Sequence, residues 1–250
     1  MFKITKVVTD LSNEKYHSVG TEIISSSYLK GIYKHSIKRA KIPMESNDAL
    51  VFGTQFHDIC ELGIQGFQDK YSVIPEKYSN KRTKLYKEYI DANPDAISID
   101  DLNRLTKMFY NLQTNEFYRQ LEDGCESHCE HSIYAEMDDL QFRIRPDKHY
   151  TFGDKVHYII DYKTCQDVTQ FSYDIKKYHY DLQAVFYADV LGINPSDFYF
   201  IAIEKNYPYT VQVFGLSEES IRRGRYKMDI AIDKIKRGDD TIGYDIVCRV

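Results

Sequence analysis

Residues 155–164 read Lys-Val-His-Tyr-Ile-Ile-Asp-Tyr-Lys-Thr, an apolar strand that ends in an acid and a base two positions apart. Side chains alternate between the faces of a strand, so Asp161 and Lys163 share one face and Tyr162 takes the other. The preceding segments, His-Cys-Glu-His-Ser-Ile-Tyr-Ala-Glu-Met and Leu-Gln-Phe-Arg-Ile-Arg-Pro-Asp-Lys-His-Tyr, read as further strands of an antiparallel run. The turns fall at Asp138-Asp139 and Gly153-Asp154, and the second segment carries Pro146-Asp147. Two carboxylates and a lysine at strand ends make a site for a hard cation with an ammonium beside it. That combination suits hydrolysis of a phosphodiester.

Helical patterns flank the strands. A serine run opens a basic helix over 23–40, with Ser25, Ser26 or Ser27 as its cap. Leu50, Phe52, Phe56, Ile59 and Cys60 have helical spacing, which predicts a helix over 48–63 that stops near Gly63. A helix over 80–91, a turn at Asn93-Pro94-Asp95 and a capping box at Ser98 opening a helix to Gln113 follow. Beyond the strands, 176–191 is predicted helical and ends at Gly192. Strands 197–206 and 209–216 and a basic helix over 217–237 complete the pattern. Strands enclosed by helices imply one layered α/β domain over 1–250, mainly helical to 120, with the sheet and last helix over 125–250.

The 250 residues are 42% hydrophobic, enough for a sizeable core. A net charge of −5 argues against a protein that coats nucleic acid by charge alone. It leaves room for a nuclease, because a metal site concentrates carboxylates. The first residues have no apolar core long enough for a signal peptide, and no segment approaches the length of a membrane span. Five cysteines (60, 125, 129, 165 and 248) form no disulfide framework, so the expected setting is a reducing cytoplasm.

Each candidate site residue has an ordinary alternative. Asp147, Asp161 and Lys163 also read as solvated strand-end charges, and His57 as a packed or exposed histidine on a helix edge. Gln183 and Tyr187, one turn apart on a helix, read either as a holder of the lysine or a substrate group and a phosphate contact, or as the helix's polar edge. The basic clusters at 81–87 and 222–227, with Lys81, Arg82, Arg222 and Arg223, can follow a DNA backbone or simply solvate a helix face. Cys125 and Cys129 with His128 and His131 lack the second pair that a zinc site needs.

Taken in order, Gly53-x-x-Phe56-His57, Pro146-Asp147, Asp161-x-Lys163 and Gln183-x-x-x-Tyr187 resemble the RecB-like branch of the PD-(D/E)XK nuclease superfamily. With the run Ile24-Ser-Ser-Ser-Tyr-Leu-Lys30 ahead of them, the chain most resembles RecE-type exonucleases, and distantly phage lambda exonuclease. The likeness covers about residues 23–215. It implies a restriction-endonuclease-like α/β core, a mixed central sheet flanked by helices. It further implies two Mg²⁺ or Mn²⁺ ions held by His57, Asp147, Asp161 and the carbonyl of Tyr162. Lys163, Gln183 and Tyr187 join Asp147 and Asp161 in catalysis, and Ser25 and Ser27 meet a DNA end. The implied activity is 5′ to 3′ degradation from duplex DNA ends in phage-type recombination. A homo-oligomeric ring and a single-strand annealing protein are the implied partners. A structure-specific endonuclease using the same site and a catalytically silent nuclease-fold DNA-binding protein are the alternatives. With Cys248 alone near the C-terminus, no iron–sulfur cluster is expected.

Overall fold

In the computed structural model, residues 1–43 and 47–239 are described; Cys248 lies outside them. The first part of the chain holds β1 (Lys3–Val8), α1 (Asn13–Ser18), α2 (Ser26–Lys34), α3 (Ile37–Ala40) and α4 (Asp48–Lys70). It continues through β2 (Ser72–Val73), α5 (Lys84–Ala92), β3 (Ala96–Ile97), α6 (Ile99–Thr114) and α7 (Glu116–Gly124). Next come β4 (Glu126–Cys129), β5 (Ser132–Met137), β6 (Leu140–Ile144), β7 (Lys148–Phe152) and β8 (Lys155–Cys165). The last elements are α8 (Phe171–Lys177), α9 (Tyr180–Leu191), β9 (Phe198–Glu204), β10 (Val211–Gly215) and α10 (Glu218–Arg237).

The principal sheet has the order β10-β9-β8-β7-β4, with β8 and β9 parallel and the other pairs antiparallel. A smaller sheet has the order β1-β5-β6. The fold is thus a mixed sheet flanked by helices. β8 and β9 are covered on both faces, which is why both read as near-continuous apolar runs. On one face Ile159, Phe198, Phe200 and Ala202 pack with α2, α9, α10 and the smaller sheet. On the other, Ile160, Tyr162, Ile201 and Ile203 pack with Phe56, Leu105, Met108 and Tyr118 of α4, α6 and α7.

One hairpin ties the sheets together. Ile133 pairs with Ile144 in the smaller sheet, and Cys129 pairs with Lys148 in the principal one. The register about the Asp138-Asp139 turn is the same in both, so β4-β5 and β6-β7 are the two arms of a single hairpin that passes between sheets. Both turn residues take positive φ, 51° and 62°, as a tight hairpin turn requires. The two segments predicted as single strands are therefore each bent in the middle. The bends fall at Glu130, whose φ is 53°, and at Pro146-Asp147, where proline cannot donate to a ladder.

Three predicted helices are divided. The 23–40 segment breaks at His35 and Ser36, where Ser36 caps α3. The 176–191 segment breaks at His179, which is left-handed with φ 56°. Gly63 interrupts α4 rather than ending it: its φ of 68° breaks the helical path, which then resumes to Lys70. Phe67, fully buried, anchors the second half, and Asp58 spans the kink by accepting from Lys70 Nζ at 2.8 Å. α6 and α10 lie within a residue of their predicted spans, capped by Ser98 and Ser217. β1, α1 and α7 had no counterpart in the sequence reading.

Candidate active site

The site forms where the long hairpin leaves the principal sheet. β7 begins at Lys148, so the ladder against β8 stops just before Asp147. There the Asp147 carboxylate takes over, its Oδ2 accepting the backbone N–H of Tyr162 at 2.7 Å. The carbonyl of the same residue accepts from His57 Nε2 at 3.0 Å, and His57 Nδ1 lies 3.4 Å from Asp147 Oδ1. Glu130 lies opposite Asp147 in the hairpin and donates its backbone N–H to the Asp147 carbonyl at 3.2 Å. His57, Glu130 and Asp147 each bring a donor atom within 4.8 Å of the others. Among the described residues this is the one such group of three.

Asp161 stands beside that group with both oxygens engaged. Lys163 pairs with Oδ2, and Gln183 Nε2 donates to Oδ1 at 2.6 Å. The Tyr162 ring points to the opposite face, where its hydroxyl meets that of Tyr118. Asp161, expected as a metal ligand, lies beside the convergent donors His57, Asp147 and Glu130. Gln183 was expected to hold the lysine or substrate; it holds Asp161 instead and accepts from Lys30 Nζ at 3.1 Å.

The electrostatics follow from crowding charge in a buried place. Burial raises the Asp161 carboxyl against the pull of Lys163. Burial would also raise Asp147, but His57, Lys163 and the Tyr162 N–H together outweigh it and hold that carboxyl below its ordinary value. Burial opposes a charge on His57, yet Asp147 lifts it to about 9. Burial, then repulsion from Asp147, lifts Glu130 to about 8. Lys163 is raised despite burial by Asp161 and Asp147, so it remains an ammonium at neutral pH. At that pH protons on His57 and Glu130 balance the gathered negative charge. Two carboxylates, an imidazole and a peptide carbonyl are also a donor set that fits a hard divalent cation.

A cleft of 980 Å³ opens over these residues, and the start of α2 forms part of its wall. The three serines there have three different surroundings. Ser25 caps α2, accepting from Tyr28 N–H at 3.3 Å. Ser26 is buried beside the hydroxyl of Tyr187, which also lines the cleft. Ser27 is exposed and lines the cleft.

Lys81, Arg82, Arg222 and Arg223 do not line it. Lys81 lies 3.7 Å from Asp101, Arg82 is exposed, and Arg222 lies 3.8 Å from Glu218. Arg223 is drawn inward, its Nε donating to the fully buried Asp181 at 2.5 Å, where Lys227 also pairs. A buried carboxylate requires such partners, and this one occupies a cation assigned to DNA.

Sequence reasoning missed Glu130, Lys30 and Arg145. The signal for Glu130 was present: it and Asp147 each lie eight residues from the Asp138-Asp139 turn. Arg145 bonds Ser132 Oγ and the Leu11 carbonyl, packs on the Tyr16 ring and lies 3.8 Å from Glu130.

Residues 25–241 match the family described as PDDEXK-like domain of unknown function (DUF3799). The chain belongs to this PDDEXK-like family. Asp147, Asp161 and Lys163 lie within the matched residues. Among solved structures, a protein provisionally named an exonuclease, from Eubacterium rectale, aligns with a TM-score of 0.62 at 12% identity. The alignment covers 96% of this chain and 91% of that one, and it supports the same fold. A protein from Vibrio cholerae aligns at 10% identity with a TM-score of 0.27, over 93% of this chain and 57% of that one, and carries no argument. Comparison with curated proteins gives no match. No helix among the described residues is long and apolar enough to cross a membrane.

Proposed function

We propose that the chain is a divalent-metal-dependent deoxyribonuclease that degrades duplex DNA from its ends, 5′ to 3′, in the manner of RecE-type exonucleases. The observation that carries the reading is the meeting of His57, Glu130 and Asp147 with a lysine and a second carboxylate at the edge of one cleft. His57, Glu130, Asp147 and the Tyr162 carbonyl would hold the cation. Mg²⁺ or Mn²⁺ there supplies positive charge to the phosphate and lowers the pKa of water.

The remaining work falls to the chain. Asp161 orients Lys163, and the Lys163 ammonium stabilises negative charge as it builds on the phosphate oxygens. Because Lys163 stays protonated, it acts as a charge and hydrogen donor rather than as a base. Ser27, exposed at the start of α2, is available to a terminal phosphate beside free helix N–H groups. The donor cluster described accounts for one ion; a second ion, a homo-oligomeric ring and an annealing-protein partner come with the RecE-type reading.

The test is cleavage of a linear duplex labelled at either end, against a covalently closed circle, with and without Mg²⁺. Mg²⁺-dependent loss of the linear substrate alone, with early release of the 5′ label, is expected. Cutting of the circle would replace the exonuclease with an endonuclease. Absence of cleavage with both Mg²⁺ and Mn²⁺ would leave a DNA-binding protein.

A further inference from the structure

Helices α2 and α9 meet through two polar contacts, each helix contributing residues one turn apart. Ser26 bonds to Tyr187, and Lys30 Nζ donates to Gln183 Oε1 at 3.1 Å. Gln183 reaches onward, its Nε2 donating to Asp161 Oδ1 at 2.6 Å, and Asp161 Oδ2 pairs with Lys163. The result is a chain of contacts running Lys30, Gln183, Asp161, Lys163.

The direction of this chain is set from its two sides, by Lys30 and by Asp161. A side-chain amide has two ends of nearly the same shape but opposite polarity, and its partners select which way it faces. An ammonium has donors and no acceptor, so Gln183 must turn its oxygen toward Lys30. Its NH₂ then faces Asp161. In the reverse orientation the amide oxygen would confront a carboxylate and the NH₂ an ammonium, two repulsive contacts in a buried place.

We infer that Lys30 is a positioning residue: it holds the oxygen end of the Gln183 amide, so that the NH₂ end stays on the carboxylate of Asp161 and, through it, the direction of Lys163 is kept. Consistent with this, Lys30 has no bond of its own to Asp161. The two ammonium groups lie over the ring of Tyr180, at 5.5 Å for Lys30 and 5.1 Å for Lys163. The role in catalysis rests on the nuclease reading; the control of the amide does not. Lys30 also lines the cleft, so the rival assignment is a direct contact with a DNA phosphate.

Lys30→Met, Lys30→Gln and Lys30→Arg separate the two. Cleavage kinetics with Mg²⁺ are measured on a linear duplex, together with the salt dependence of DNA binding. The Gln183 side-chain amide signals are followed in ¹H–¹⁵N spectra, assigned by their loss in Gln183→Leu. Lys30→Met is expected to lower kcat by about 10–100-fold, the range for removing a residue that supports a site from behind, with KM and the salt slope unchanged. The Gln183 signals shift in the same variant. Arginine, also a pure donor, restores both, and glutamine, which can present either polarity, falls between.

A raised KM with kcat intact and a salt slope reduced by about 1 would mean a phosphate contact and overturn the inference. Gln183 signals unmoved by Lys30→Met would overturn it as well. If the wild-type protein cleaves no DNA, the nuclease reading fails, and the amide signals still decide the role of Lys30.

Discussion

Single residues in the cleft differ in how far chemistry and folding can be separated. Asp147 is bonded to a backbone N–H and lies near an imidazole, so Asp147→Asn keeps its shape and most of its hydrogen bonds. It is expected to abolish cleavage while the circular dichroism melt stays within a few degrees of wild type. Asp161→Ala is a harsher change, because Asp161 is 1% exposed and neutralises Lys163. Removing one partner of a buried pair costs about 3–5 kcal/mol, so that variant should lose stability as well as activity in a urea titration. Glu130→Gln tests the donor that the sequence reading missed. Its affinity for Mn²⁺, measured by calorimetry, should fall by at least about tenfold. Asp147, Asp161 and Lys163 were legible because a strand's alternation and a Pro-Asp break give acids in such places a direction. Glu130 was legible in principle, since the turn at Asp138-Asp139 sets the pairing, but it lies outside the motifs that carry the family resemblance. Lys30 was not legible: its role depends on which face of α2 meets α9, and spacing within one helix does not supply that.

At the level of elements, the sequence gives helix starts more reliably than helix continuity. The cap at Ser98 and the start of α10 after Ser217 fall where expected, because a helix start is a local contest for N–H groups. The breaks at His35 and His179 carry no glycine or proline to announce them, whereas the one at Gly63 falls on a glycine with positive φ. α9 illustrates the point: it is buried on almost every side and shows little amphipathic pattern. It carries Gln183 and Tyr187 to the cleft and is held against α10 by Asp181 with Lys227 and Arg223. Gly224 makes that approach possible. A Cβ there would lie 2.4 Å from the Asp181 carbonyl oxygen, closer than the backbone can accept without moving. Gly224→Ala should therefore cost about 1–3 kcal/mol of stability in chemical denaturation, the range for overpacking. Activity should fall too, because α9 must shift to relieve the clash.

Across the molecule, a net charge of −5 disfavours DNA binding by charge alone, and a divalent cation among His57, Glu130 and Asp147 would add positive charge in the cleft. Asp161→Asn, which keeps His57, Glu130 and Asp147, should bind a labelled duplex with Mg²⁺ and release it when EDTA is added, as read by fluorescence anisotropy. The bent hairpin has a further meaning for how such a protein could change over generations. Glu130 sits in the left-handed region, where an ordinary residue costs about 1–2 kcal/mol, and Pro146 leaves a gap in the ladder. A double change to valine, Glu130→Val with Pro146→Val, would favour a straight, continuous hairpin. The expected product melts at a higher temperature and cuts nothing. Selection for robustness alone would therefore smooth away this bend, and its persistence in a working enzyme would mark a place where activity is kept at the expense of sturdiness.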